Sequence, residues 1–317
     1  MRQFIGQRLL AFIPTLLGVS IIVFMVIRLI PGDTIAAQFG TQTILTPAQR
    51  ASLLEYYGLD KPVTEQYVRW AGGALHGDLG ISVRSGKPVL GEILNRFPLT
   101  LELTLMAMVI ALALGIPIGV LTAKYRGTLI DAAGQFFALL GLALPNFWIG
   151  TLFILGLSLV FGVLLNSGDY VDFATNPAAN MRQMIFPAIT LGLGFTAAIA
   201  RTTRSAMLEE LRQDYARTAR SKGLPESTVL IKHCLRNALI PIITIAGIQM
   251  GYLLGGAILV EQVFALPGLG QLLINAIGQR DYAVVQGVVL FISLNFLVIN
   301  LLADMLYALV NPRVRAS

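Results

Sequence analysis

Four ionisable residues, Arg28, Glu102, Glu261 and Asp304, stand in or at the ends of long apolar runs. An ionisable group in such a run is a functional hypothesis by default. Each also lies within a turn or two of a run's end, where a side chain reaches the interface cheaply. A structural or interfacial role therefore competes with a pathway or gate role for Glu102, Glu261 and Asp304. No carboxylate falls near the middle of a run, which argues against a proton- or sodium-coupled carrier. Hydrolysis fares no better, because the two histidines, His76 and His233, lie far apart and outside the longest apolar runs. Cys234 is the single cysteine, so neither an intrachain disulfide nor a cysteine-based metal site can form.

Nucleotide chemistry can be tested by spacing. The closest approach to a phosphate-binding loop is Gly80 with Gly86-Lys87-Pro88. The glycine spacing is one residue too long, and Pro88 stands where a magnesium-binding hydroxyl is required. Gly192-Leu193-Gly194-Phe195-Thr196-Ala197 imitates a dinucleotide fingerprint but sits inside an apolar run with no strand before it. Close helix packing by small residues explains it better. The chain itself therefore holds no cofactor.

The elements that must position these residues are set by composition. Of 317 residues, 56% are apolar and 13% charged, and the mean hydropathy is +0.74. Soluble proteins carry about 25% charged residues. The apolar residues fall in uninterrupted blocks, which excludes a soluble enzyme, collagen, a coiled coil and a disordered polymer. An all-α polytopic membrane protein remains. Six crossings fit: Leu9–Ile30, Thr100–Thr122, a stretch within Leu129–Leu165, Pro187–Met207, Ala238–Val260 and Val284–Leu306. The first is too long for a cleaved signal segment and reads as a retained helix. The third is read as one helix kinked at Pro145. With that count and a cytoplasmic N-terminus, 14 of the 23 basic residues lie inside. Two crossings there would export eight basic residues between Arg201 and Arg236, against the positive-inside tendency. Residues 1–30 thus give the N-terminus and first helix, 31–98 an extracytoplasmic cap, and 99–317 a five-helix core.

Within the cap, Thr46-Pro47 marks a helix start running to Tyr57, and a second helix begins near Pro62 and contains Tyr67, Trp70 and Ala71. Gly77-Asp78-Leu79-Gly80 reads as a turn. The segment Arg204–Pro241, with the cytoplasmic loop 208–236 inside it, is the most informative. Met207, Leu211, Tyr215 and Ala219 recur at helical spacing, Gly223 ends that helix after Lys222, and Pro225-Glu226 opens the next. Ala216, Ala219 and Gly223 are small enough for close approach by a partner. The pattern supports two readings equally: a docking element at the cytoplasmic mouth, or a basic interfacial helix held by anionic lipid.

At this segment the sequence resembles the permease subunits of binding-protein-dependent ABC importers. Their cytoplasmic loop carries Glu-Ala-Ala, three residues and Gly. Here Arg217-Thr218-Ala219 and Gly223 occupy those places, so one alanine and the glycine remain. Thr218–Leu224 and Arg236–Pro241 match the strings typical of the dipeptide, oligopeptide and nickel branch. Further motifs follow in order: Ile30–Asp33, Gly77–Gly80, Arg96–Thr100, Pro145–Trp148, Glu261–Phe264, Pro267–Gly270 and Arg280–Tyr282. Asn166-Ser167-Gly168 departs from the pattern of many relatives.

The resemblance implies a type I ABC importer permease fold in a bacterial or archaeal cytoplasmic membrane, both termini inside. It implies a second permease, two ATPase subunits carrying ATP and magnesium, and an extracytoplasmic binding protein; nucleic acid is not among the partners. Tyr215, Ala216, Arg217, Thr218, Ala219, Arg220, Lys222, Gly223 and Leu224 would form the coupling loop. Ala219, Gly223 and Leu224 would pack on the ATPase, and Arg217, Arg220 and Lys222 would meet its acidic groups. His233, Arg236 and Asn237 would fix the loop to the bundle. Peptide is the expected substrate, with nickel, glutathione or oligosaccharide as alternatives in the same role. A carrier or channel without an ATPase is the alternative of another class.

Overall fold

The computed structural model describes residues 2–29, 46, 60–162 and 170–310. The expected helix from Thr46-Pro47 to Tyr57, and the Asn166–Gly168 departure, lie outside those residues apart from Thr46 itself. The described residues form helices α1 (Arg2–Leu29), α2 (Val63–Leu75), α3 (Val89–Lys124), α4 (Leu129–Ala143), α5 (Asn146–Phe161), α6 (Pro177–Glu210) and α7 (Asp214–Ser221). A single turn α8 (Glu226–Thr228) then runs through a π-helical stretch, Val229–Leu235, into α9 (Arg236–Val263), followed by α10 (Leu269–Gly278) and α11 (Tyr282–Val310). Val89–Lys124, Pro177–Glu210, Glu226–Gly255 and Tyr282–Met305 are each long and apolar enough to cross a bilayer.

The expected single kinked third helix is corrected. Leu129–Ala143 and the helix after it are two separate helices bent by 100°. Leu144 precedes Pro145, and the proline ring drives it to an extended conformation (ψ 128°), so the first helix stops there. Pro145 is extended in turn and serves as the residue from which α5 starts.

Two compact units are present. The first is built mainly from Leu99–Leu266 and Phe296–Ser317. Its core holds Leu103, Ala107, Met184, Leu191, Ile199, Met207, Ile242 and Leu253, all buried. The close contact of α3 with α6 depends on Gly115-x-x-x-Gly119. A Cβ on Gly119 would lie 2.4 Å from Thr203 Cβ and 2.6 Å from the Ala200 carbonyl. Gly192 makes the same approach from α6, its Cβ position being 2.8 Å from the Ala107 carbonyl. Small residues substitute for a hydrophobic driving force where lipid is as apolar as the side chains. This is why the glycines of the false dinucleotide fingerprint are there.

The second unit comprises Gln3–Pro98 and Pro267–Asn295. Phe24 of α1 is buried against Tyr67 and Trp70 of α2, with ring centroids 5.3 and 5.7 Å apart. α2 begins after Pro62 and carries Tyr67 and Trp70, as expected from sequence. Gly77 and Gly80 both take positive φ in the turn that follows. Ser82 donates to the buried Asp281 carboxylate at 2.5 Å, and the Arg84 guanidinium reaches the Gln279 carbonyl at 2.9 Å. The apolar helix α10 was not anticipated, because ten residues fall short of the length that marks a span.

Candidate functional site: the helical turn at Gly223 and the buried carboxylates

The expected helix running unbroken to Lys222 is interrupted. α6 ends at Glu210, residues 211–213 turn, and α7 begins at Asp214. A short helix is thereby set off from the spanning one. Its C-terminus closes in a two-bond motif. Gly223 N–H donates to the Arg220 carbonyl at 2.9 Å, and Leu224 N–H to the Ala219 carbonyl at 3.3 Å. Gly223 has φ +76°, and a Cβ there would meet nothing within 4 Å. The same two-bond pattern closes α9 at Ala265 (φ 52°) and α10 at Arg280 (φ 55°). Non-glycine residues therefore occupy the same left-handed conformation twice elsewhere in this chain.

Ala216 and Ala219 are buried within the chain, in one cluster with Val229, Leu230 and Cys234 of the π-helical stretch. This corrects the expectation that Ala216 and Ala219 permit close approach by a partner. The two alanines are already consumed by intrachain packing, and only Gly223 faces open space. Every residue of α7 and its turn other than these two alanines is exposed, among them Tyr215, Arg217, Thr218, Lys222 and Leu224, the last 38% exposed. Ile231, 63% exposed on the π-helical stretch, adds an apolar group that sequence reasoning missed.

The charges are redistributed too. Arg220 forms a two-pronged pair with Glu226, at 2.9 and 3.0 Å, and also donates to the Leu211 carbonyl at 3.4 Å. It ties both ends of the turn together as an internal brace, while its side chain stays 38% exposed. Glu226 raises the Arg220 pKa further by accepting those hydrogen bonds. Arg217 pairs with Asp214 at 3.0 Å on a fully solvated face. Thr218 donates to the Asp214 carbonyl. Lys222 is exposed and unpaired among the described residues. Tyr215 donates to Glu210 and also interacts with Asn237. Partial burial, then the Glu210 bond, holds its phenol well above the usual tyrosine range. The Asn237 interaction joins Tyr215 of α7 to the start of α9. His233 is half-buried and Arg236 exposed.

Of the carboxylates, Glu261 lies fully buried and accepts from Thr100 at 2.6 Å. It does not snorkel to an interface. Glu102, two residues from Thr100 on α3, accepts from Tyr170 at 2.9 Å. Tyr170 also accepts from the buried Asn180, which bonds the Val171 carbonyl as well. Burial and the Glu102 bond raise the Tyr170 pKa. Asp304 is half-buried on α11. A third buried acid, Asp131, was missed. It accepts from Arg204 at 2.7 and 2.9 Å, from Gly127 N–H and from Gln135. Its signal in the sequence was only an acid three residues into an apolar run.

Residues 1–104 match the family described as "Binding-prot-dependent transport system membrane comp, N-term", and 115–316 match "Binding-protein-dependent transport system inner membrane component". The dipeptide transport system permease protein DppB of Escherichia coli (strain K12) is 44% identical over 99% of both chains. The oligopeptide transport system permease protein AppB of Bacillus subtilis (strain 168) is 41% identical, and the glutathione transport system permease protein GsiC of Escherichia coli O6:H1 is 40% identical, each over 99% of both chains. Among solved structures, the MetNI methionine ABC transporter in an inward-facing form aligns with TM-score 0.55 at 20% identity, covering 69% of this chain and 96% of that one. An amino acid ABC transporter aligns with TM-score 0.51 at 17% identity, covering 70% and 94%. The helical architecture and these full-length matches agree: the chain is a multi-pass membrane protein belonging to the inner membrane component family of binding-protein-dependent transport systems.

Proposed function

We propose that this chain is a permease subunit of an ATP-driven peptide importer. The observation that carries the reading is identity of 40–44% across 99% of both chains to permeases named for dipeptides, oligopeptides and glutathione, itself a small peptide. A second permease completes the pathway, two ATPase subunits hold ATP and magnesium, and a binding protein delivers substrate to the cap formed by residues 31–98. The N- and C-termini face the cytoplasm, together with the loop 208–236.

The geometry suits mechanical coupling. α7 is short, amphipathic in burial and braced at both ends, by the turn after Glu210 and by the Arg220–Glu226 pair. A helix whose inner face is packed on the chain transmits a push rather than absorbing it. Its inner alanines touch the π-helical stretch, which continues directly into the spanning helix α9. Displacement of α7 by a closing ATPase pair therefore passes into α6 at one end and α9 at the other. Glu102 and Glu261 sit on or against α3 at one level and form one candidate gate or pathway group; Asp304, next to Ala303, which packs on Gly247 of α9, is a separate candidate.

Purification in mild detergent tests the assembly. Recovery of this chain with two ATPase chains and a second permease is expected. Autonomous transport by the isolated chain would instead support a carrier or channel.

A further inference from the structure

We infer that the groove beside α4 and α6, at the end of the bundle that carries α7, binds the phosphate of an anionic phospholipid. A cavity of ≈ 320 Å³ is lined by Thr122, Gln135, Leu142, Arg201, Arg204 and Ser205, among others. A second, of ≈ 420 Å³, is lined by Arg126, Leu208, Arg212 and again Ser205. The two share Ser205 in their linings and lie side by side along α6. Arg204 spends two nitrogens on Asp131, which neutralises it. Arg201, Arg126 and Arg212 have no ion-pair partner among the described residues, and Glu209 is the only other carboxylate in either lining. Unbalanced positive charge thus lines both cavities beside a serine hydroxyl, a donor set that matches a phosphate.

The rest of the lining says what carries the phosphate. Gly134 and Ala138 make one wall shallow, and Leu139 and Leu142 make it apolar. Outside these linings, α4 exposes Phe136, Phe137 and Leu140. A polar end closed by arginines beside an exposed apolar helix face fits a headgroup with its acyl chains, and leaves a free phosphate with no use for the apolar wall. This inference needs the chain to span a membrane and is independent of the peptide reading.

The test uses the complete transporter in bilayers of phosphatidylcholine alone or mixed with phosphatidylglycerol, followed by native mass spectrometry. Wild type should retain phosphatidylglycerol selectively. Arg201→Gln and Arg126→Gln should each lower occupancy roughly fivefold, since one arginine near an anionic surface shifts binding by about that factor. Arg201→Lys should restore most of it, whereas Arg182→Gln, an exposed arginine near the opposite end of α6, should change nothing. The inference is overturned if wild type retains no phosphatidylglycerol, as when a protein subunit seals the groove. It is equally overturned if neither glutamine variant lowers retention, or if inorganic phosphate strips the bound signal.

Discussion

Substitution at Gly223 separates two demands that a coupling turn makes on one residue. The first is conformational. A non-glycine residue at φ +76° costs about 1–2 kcal/mol. Ala265 and Arg280 carry that cost at two other helix ends with the same hydrogen bonds. The second demand is space. Within the chain a Cβ at 223 meets nothing within 4 Å, so a methyl group there adds no intrachain clash. Gly223→Ala and Gly223→Asn should therefore insert normally and transport within a fewfold of wild type, Asn the better because it tolerates the left-handed region. Gly223→Trp carries the same backbone cost but fills the open face. If an ATPase groove seats there, uptake should fall more than about tenfold below that of Gly223→Ala, which carries the same backbone cost. ATP hydrolysis should persist without substrate stimulation. The assay is ATP-dependent uptake and hydrolysis in proteoliposomes containing the full complex, at matched membrane levels. Equal transport by the Trp and Ala variants would refute the docking role of this turn.

Other perturbations probe the frame behind it. Gly119→Val forces a Cβ into Thr203 and should cost about 1–3 kcal/mol or more, read as a lower melting temperature; Gly156→Ala, with nothing within 4 Å, should not. Thr100→Val removes the hydroxyl donor from the buried Glu261 and should destabilise by about 1–3 kcal/mol, with Thr100→Ser restoring it; equal melting of both variants would count against that bond. A double-mutant cycle on Arg220 and Glu226 should give only about 0.2–1 kcal/mol and shrink with salt, because the pair is more than a third exposed. Asp131→Asn leaves Arg204 without its counter-charge and should cost about 3–5 kcal/mol in that partly buried site, measured by unfolding in detergent.

Much of the helical framework was legible because bilayer crossing imposes long apolar runs that composition alone reveals. Gly223, Pro225 and Pro62 marked helix boundaries through backbone chemistry local to one residue. Pro145 marked a kink in one helix, whereas the chain breaks there into two helices bent by 100°. The interruption after Glu210 was hidden, since Met207, Leu211, Tyr215 and Ala219 keep helical spacing across it. Side-chain roles were least accessible. Arg220 read as an outward cation because nothing in sequence says that Glu226, across a glycine turn, folds back onto it. Ala216 and Ala219 read as open to a partner because burial against a π-helical stretch leaves no periodic mark. Glu261 meets Thr100 across 161 residues, a pairing that only the fold creates.

The central claim is ATP-coupled import through this chain, and subunit omission tests it most directly. Proteoliposomes containing the second permease, both ATPases and the binding protein should accumulate a labelled dipeptide only when this chain and ATP are both present. Accumulation by this chain alone, or by the complete set without ATP, would contradict the account.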